Sequence, residues 1–176
     1  MPRAAAERRE KVMNTPLNVL FLCTGNSCRS IIGEALADHL GKGKLHGLSA
    51  GSMPTGKVNE NALAVLARHG VPVNTPSSKS MDDLEGEKID LVITVCDAAA
   101  GESCPVWLGD TQKVHWGLED PAHATGTDDE IRGAFEVTYN ELHARVEALA
   151  ALDFESMNPL GLIATAQKIH REMDNQ

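Results

Sequence analysis

The chain has 176 residues, with 16 Lys and Arg against 25 Asp and Glu, so its formal net charge is −9 at pH 7. This acidic balance argues against nucleic acid as a partner, because binding phosphates requires clustered basic residues. The sequence contains no apolar run long enough to cross a membrane and no signal-peptide pattern, so we expect a soluble, cytoplasmic protein. The length fits one domain with a substantial core.

Predicted strands and helices alternate along the chain. In order, they are a strand at 19–22, a helix at 29–40, a strand ending at 48–51, a helix at 59–69, strands at 91–95 and 113–116, and helices at 128–152 and 159–172. The continuous apolar run at 91–95 is typical of a strand buried on both faces. This alternation predicts an α/β fold with a parallel, mainly four-stranded sheet flanked by helices.

We predict a single catalytic domain over residues 16–152. Residues 1–15 are interpreted as a flexible N-terminal extension and residues 153–176 as a C-terminal helical extension. The long amphipathic helix at 128–152 can pack on its own sheet or on a second copy of the chain. We expect the first arrangement, and therefore a monomer.

Three chemically reactive residues follow predicted strands: Cys23, Cys96 and Asp120. Ligands of a parallel sheet collect at the carboxyl ends of its strands, so we expect these side chains to lie at one edge. His115 and Trp116 precede the loop of Asp120. They are expected to pack rather than to react.

Residues 23–29 form a Cys-x5-Arg loop between the first strand and the first helix. A chain that turns from a strand into a helix points successive N–H groups at one spot, and the helix N-terminus adds partial positive charge. A tetrahedral oxyanion fits such a spot, where we expect the Cys23 sulfur to be nucleophilic. Arg29 can bind two oxyanion oxygens, and Ser30 can donate a hydrogen bond to the sulfur. The alternative is a buried structural cysteine before a capped helix.

The four cysteines are expected to be reduced thiols, because nothing in the sequence indicates export to an oxidising compartment. Their spacings do not match zinc motifs. A helix between Cys96 and Cys104 would separate their Cα atoms by about 12 Å, whereas a disulfide needs about 7 Å or less. A bond between them therefore requires this segment to loop out near Gly101. Cys96 can also be a small apolar residue that ends a buried strand.

Taken together, the motifs resemble arsenate reductases built on the low-molecular-weight protein tyrosine phosphatase fold, of the thiol-cascade type. The resemblance covers residues 18–126. It rests on Cys23-Thr-Gly-Asn-Ser-Cys-Arg-Ser30, on Val95-Cys-Asp97 followed by Cys104-Pro-Val-Trp107, and on the pair Asp120-Pro121. It implies a low-molecular-weight phosphatase-like fold and a role in arsenic detoxification without a tightly bound cofactor.

The resemblance also implies a role for each residue. Arsenate is bound by the loop residues Thr24, Gly25, Asn26, Ser27, Cys28 and Arg29. Cys23 attacks arsenic with support from Ser30, while Asp120 acts as the general acid. Cys96 then attacks Cys23 and releases arsenite, and Cys104 attacks Cys96 to leave a Cys96–Cys104 disulfide. A thioredoxin-like protein, or a glutaredoxin-like protein with glutathione or a similar thiol, then reduces this disulfide.

Some relatives bind potassium beside this loop through residues that match Asn26, Glu34 and Ser49. In this chain Lys79 can approach the same position and supply a positive charge instead. Asn26 is also expected to hold the loop in shape through a left-handed conformation. Cys28 matches a loop cysteine off the main reaction path, and we expect it to pack.

Two other functions use parts of the same pattern. A low-molecular-weight protein tyrosine phosphatase shares the loop, Arg29 and Asp120, but water rather than a thiol attacks its phosphorylated cysteine. A redox-switched phosphate-binding module would use the loop and the second cysteine pair without Asp120. The cysteine pair and the scarcity of aromatic residues, with one Tyr and three Phe, favour the reductase. Weak phosphatase activity is still expected, because phosphate and arsenate have nearly the same shape.

Overall fold

The computed structural model describes residues 16–96, 111 and 113–174. Four strands form one parallel sheet in the order β2-β1-β3-β4, and helices flank it, as the sequence predicts. The strands are β1 (Leu17–Cys23), β2 (Leu45–Gly51), β3 (Leu91–Thr94) and β4 (Lys113–His115). The α-helices in the described ranges are α1 (Arg29–Gly41), α2 (Glu60–Arg68), α3 (Asp128–Ala150) and α4 (Pro159–Asp174). The predicted extension at 1–15 and the segment 97–110, with Cys104, lie outside the described residues.

β2 is longer than the sequence indicates. Only its end at 48–51 is predicted, but the strand begins at Leu45 and pairs with β1 in parallel. Gly47 interrupts its apolar pattern because α1 crosses the strand there, and a Cβ atom at this position would collide with the backbone carbonyl of Glu34. Close packing of α1 on β2 therefore requires a glycine inside a strand, where it is otherwise unfavourable.

The core is centred on β1 and β3, the two inner strands. Val19, Leu20 and Phe21 of β1 are completely buried, as are Leu91 and Ile93 of β3. Strands covered on both faces need apolar side chains at consecutive positions, which is why the run at 91–95 could be recognised from the sequence. This core fixes the carboxyl ends of the inner strands.

A capping box starts α3. The Thr127 hydroxyl accepts the N–H of Glu130 at 3.1 Å, and the Glu130 carboxylate accepts the N–H of Thr127 at 3.4 Å. The apolar stripe of α3 is buried inside the chain, where the helix contacts α1 and α2; its residues include Phe135, Leu142, Val146 and Leu149. Neither α3 nor any other helix in the described ranges is long and apolar enough to span a membrane.

Glu136 on α3 binds the last turn of α2. Its carboxylate lies 2.9 Å from Nε of Arg68 and 2.7 Å from Nε2 of His69. The His69 ring stacks on the Tyr139 ring, with 3.9 Å between the ring centroids. The hydrogen bond with His69 lowers the pKa of Glu136 below its ordinary value of 4.5; partial burial opposes this shift and Arg68 adds to it. Ionised Glu136 therefore stabilises the packing of α2 on α3.

We expect Glu136→Gln to reduce the free energy of unfolding near neutral pH. A carboxyl group whose pKa is lowered on folding stabilises the protein above its unfolded pKa, and this contribution is lost as pH falls through the folded value. The difference from the wild type should therefore shrink below pH 4.5. Urea unfolding at several pH values measures it, with Glu147→Gln, a more exposed carboxylate on the same helix, as the control. A difference that does not change with pH would contradict this assignment.

Candidate active site

Cys23 ends β1 and lies at the base of the loop that leads into α1. Its side chain is buried, and its Sγ atom lies 2.9 Å from Oγ of Ser30. The same sulfur accepts the backbone N–H of Asn26 at 3.2 Å. Because Nδ2 of Asn26 donates to Oγ of Ser30 at 2.8 Å, the Ser30 hydroxyl can direct its own hydrogen at the sulfur. Both contacts stabilise negative charge on Cys23.

Carbonyl groups of the loop are bound by segments outside it. Three of them accept N–H groups from neighbouring segments: Thr24 from Met53 at 2.9 Å, Gly25 from Thr55 at 3.0 Å and Ser27 from Asn59 at 3.0 Å. In a trans peptide the C=O and the following N–H point in opposite directions. The N–H groups of Gly25, Asn26 and Cys28 are therefore directed to the inner side of the loop, as the contact from Asn26 to Cys23 shows. Such a concave set of N–H groups suits an oxyanion.

Asn26 holds the loop in this shape. It is completely buried and has a φ of 46°, the left-handed conformation that the sequence predicts. Its Oδ1 atom accepts the backbone N–H of Lys79 at 2.8 Å. The neighbouring Ser78 hydroxyl donates to the Gly25 carbonyl at 2.9 Å. The segment around residues 78–79 thus supports the loop from outside.

Gly51 is a supporting residue that the sequence analysis does not identify. It pairs with Cys23 across β1 and β2, and its N–H donates to the Lys79 carbonyl at 2.9 Å. A Cβ atom here would collide with the Thr24 carbonyl and lie 3.0 Å from the backbone nitrogen of Asn26. Its place at the end of a predicted strand is a signal in the sequence, but the strand order is needed to connect it with the loop.

Arg29 and Asp120 meet on the open side of the loop. One guanidinium nitrogen of Arg29 donates to the Leu118 carbonyl at 2.7 Å, and the other lies 3.4 Å from Oδ2 of Asp120. The Arg29 side chain is 11% exposed and that of Asp120 is 24% exposed, so solvent and ligands can reach the carboxylate. The structure therefore brings together two side chains separated by 91 positions, at the edge expected from the sequence.

Asp120 is held by a short 3-10 helix over Pro121–His123. Its Oδ1 atom accepts the N–H of Ala122 at 2.9 Å, which leaves Oδ2 on the side of Arg29. Nε2 of the exposed His123 lies 3.6 Å from Oδ2. One carboxylate oxygen is therefore fixed by the backbone, and the other faces the loop.

Cys96 lies beside the same loop, just beyond the end of β3. It is buried, and its Sγ atom is 3.5 Å from Oγ1 of Thr24. A second thiol is thus placed against the first loop residue after Cys23. Cys104 belongs to the segment outside the described residues.

Cys28 is the other cysteine of the loop. It is buried at the start of α1, and burial raises the pKa of its thiol to about 11, although the nearby Ser27 hydroxyl acts in the opposite direction. At neutral pH the group is therefore a protonated thiol. This state fits the packing role expected from the sequence.

Two hydrogen bonds link the residues of the predicted cation site in pairs. Ser49 donates to Oε2 of Glu34 at 2.7 Å, and Asn26 accepts the backbone N–H of Lys79. Burial raises the pKa of Glu34, while the hydrogen bond from Ser49 and the charge of Lys79 lower it. The Lys79 ammonium donates to the Ser77 carbonyl at 3.0 Å. A positive charge of the chain itself therefore acts on Glu34.

His115 and Trp116 pack as expected. Nδ1 of His115 lies 2.8 Å from the Thr94 hydroxyl in the neighbouring strand. Trp116 is completely buried, and its indole N–H donates to the Ala166 carbonyl at 3.0 Å. His115 ends β4, and Trp116 is the first residue of the segment that leads to Asp120.

A family model described as low molecular weight phosphotyrosine protein phosphatase matches residues 18–158 of this chain. The arsenate reductase of Halalkalibacterium halodurans is 36% identical over 132 residues, which are 75% of this chain and 94% of that protein.

Two solved structures are also similar. The crystal structure of arsenate reductase from Archaeoglobus fulgidus gives a TM-score of 0.64 at 27% identity, and the match covers 76% of this chain and 99% of that one. The thioredoxin-dependent arsenate reductase of Corynebacterium glutamicum gives 0.55 at 28% identity, covering 76% of this chain and 62% of that one.

Proposed function

Because the chain belongs to the low molecular weight phosphotyrosine protein phosphatase family, we propose that it is an arsenate reductase that works through three cysteine thiols. The observation that carries this proposal is the position of Cys96, whose thiol lies 3.5 Å from the hydroxyl of Thr24 in the cysteine loop. A phosphatase completes its cycle with water and needs no second thiol there. The similarity to arsenate reductases supports the same conclusion.

The first step uses the loop, Arg29 and Asp120. The inner N–H groups of the loop and the guanidinium of Arg29 bind the oxygens of arsenate. The Cys23 thiolate attacks arsenic and forms a sulfur–arsenic bond. Protonated Asp120 donates its proton to the departing oxygen, which leaves as water. The 3.4 Å contact between Arg29 and Asp120 supports this assignment, because it places the acid beside a residue that binds the oxyanion.

The next steps transfer two electrons to arsenic. Cys96 attacks the sulfur of Cys23 as a thiolate, so a sulfur–sulfur bond forms and the sulfur–arsenic bond breaks. The electron pair of that bond stays on arsenic, which leaves as arsenite in oxidation state +3. Cys104 then attacks Cys96, and Cys23 departs as the thiolate that starts the next cycle.

The resulting Cys96–Cys104 disulfide must be reduced by thiols from outside the chain. We propose a thioredoxin-type protein, or a glutaredoxin-type protein with glutathione, as the partner. The printed name of the Corynebacterium glutamicum relative supports a thioredoxin. Such a cycle requires a reducing compartment, so we place it in the cytoplasm, where it would serve arsenic detoxification. The covered apolar stripe of α3 supports a monomer.

A phosphotyrosine phosphatase is the second candidate. The family itself and the positions of Cys23, Arg29 and Asp120 favour it, since both reactions begin with the same attack on a tetrahedral oxyanion. We therefore propose weak phosphatase activity alongside the reductase. A redox-switched phosphate-binding module is less well supported, because it would have no need of the contact between Asp120 and Arg29.

The test is arsenate-dependent NADPH oxidation with thioredoxin and thioredoxin reductase. We expect turnover by the wild type and its loss in Cys96→Ser and Cys104→Ser, because each removes one thiol of the relay. Cys28→Ser, the matched control, should retain turnover. Asp120→Asn should slow it by about 10²-fold or more by removing the general acid, and a binding module would not depend on this residue. Hydrolysis of p-nitrophenyl phosphate by wild type and both relay variants alike, without arsenate turnover, would identify a phosphatase instead.

We further propose that the Lys79 ammonium replaces the potassium ion that some relatives hold beside the loop. Its charge already acts on Glu34, whose carboxylate also accepts the Ser49 hydroxyl. Turnover should therefore be nearly the same in potassium and in sodium chloride of equal ionic strength. A strong activation by potassium would show that Lys79 does not perform this role.

A further inference from the structure

α4 begins at residue 159, directly after the stretch that the family model matches. The helix lies against β4. The indole N–H of Trp116, the residue directly after β4, donates to the Ala166 carbonyl at 3.0 Å. Trp116 and Ala166 are both completely buried. A buried indole N–H without an acceptor is destabilising, so this bond fixes the position of Trp116 relative to α4.

A second contact holds α4 to α3. Nε of Arg145 on α3 lies 3.0 Å from Nδ1 of His170 on α4, and the Arg145 side chain is buried. Leu162 and Ile169 of α4 are buried in the same core. The position of α4 is therefore determined by polar and apolar contacts to two elements of the catalytic domain.

The segment from Trp116 to Asp120 connects α4 with the active site. The N–H groups of Trp116 and Leu118 donate to β3 and the residue after it, to Thr94 at 2.8 Å and to Val95 at 3.1 Å respectively. The Leu118 carbonyl accepts an N–H group from one guanidinium nitrogen of Arg29. Two residues later, Oδ2 of Asp120 faces the other guanidinium nitrogen. A shift of Trp116 would therefore be transmitted over four residues to the carboxylate.

We propose that Trp116 and α4 position the general acid: the bond from Trp116 to Ala166 holds residues 116–120 so that the Asp120 carboxylate stays beside the departing oxygen. This inference rests on the proposed function, since it takes Asp120 as the proton donor. Neither Trp116 nor Ala166 touches the substrate. They act by holding the Asp120 carboxylate in position. A displacement of about 1 Å at a catalytic group can lower the rate on the order of 10²-fold.

Trp116→Phe tests the proposal, because it removes the N–H donor and keeps an aromatic ring in the core. We expect kcat for arsenate to fall about 10-fold, because a displaced general acid loses part of its contribution to the rate. KM should change less than about two-fold, since the inner N–H groups of the loop, which the substitution does not touch, still bind the oxyanion. The control is Ile169→Val, which removes one buried methylene group from α4 and leaves the bond from Trp116 to Ala166 in place. It should keep kcat while lowering the melting temperature.

The decisive measurement combines Trp116→Phe with Asp120→Asn. If Trp116 acts through Asp120, the tryptophan substitution should have almost no further effect on kcat once the acid is gone. Wild-type kcat in Trp116→Phe, or the same 10-fold loss in both backgrounds, would overturn the proposal. A purely structural role would produce the second result.

Failure of the proposed function gives a different result. If the wild type does not turn over arsenate, the reductase assignment is wrong. The wild type, Trp116→Phe, Asp120→Asn and the double variant are then compared in the hydrolysis of phenyl phosphate, whose poor leaving group also needs the acid. Here too the tryptophan substitution should have almost no further effect on kcat once Asp120 is replaced. A wild type that neither reduces arsenate nor hydrolyses phenyl phosphate would contradict the role of Asp120 and overturn the inference with it.

Discussion

The orientation of the peptide groups in residues 24–28 is the constraint on which the active site depends. Three of their carbonyls accept the backbone N–H groups of Met53, Thr55 and Asn59 on the outside of the loop. The N–H groups of the same peptide units therefore face inward. Asn26, buried and left-handed, allows the chain to turn in this way. Without this arrangement the loop would present carbonyl oxygens on its inner side, and these would repel an anion.

The parallel sheet then brings the other reactive groups to this loop. Cys23 ends β1, while Cys96 and Asp120 follow the next two strands of the sheet, β3 and β4. In a parallel sheet all these strands end at the same edge, so residues far apart in the chain meet there. The short contacts of Thr24 with Cys96 and of Arg29 with Asp120 are the result. The fold thus places two thiols, a carboxylate and a guanidinium within one site.

The sequence predicts those parts of the site that depend on local order. The loop from Cys23 to Ser30 is contiguous, and its place between a strand and a helix was enough to predict the Ser30 contact and the conformation of Asn26. The start of β2 was missed because Gly47 breaks the apolar pattern where α1 packs closely. The contribution of Gly51 was missed for another reason, since it depends on β2 pairing with β1. Likewise, the bond from Trp116 to α4 depends on how the last helix folds back, which residue patterns do not specify.

The central claim is that arsenate is reduced by thiols of this chain. Its most direct test is a single turnover, in which fully reduced protein is mixed with arsenate in the absence of any external reductant. We expect one arsenite per chain and a disulfide between Cys96 and Cys104 in peptide mass spectra, with Cys23 and Cys28 still reduced. Absence of arsenite, or oxidation confined to Cys23 and Cys28, would contradict the proposed cascade.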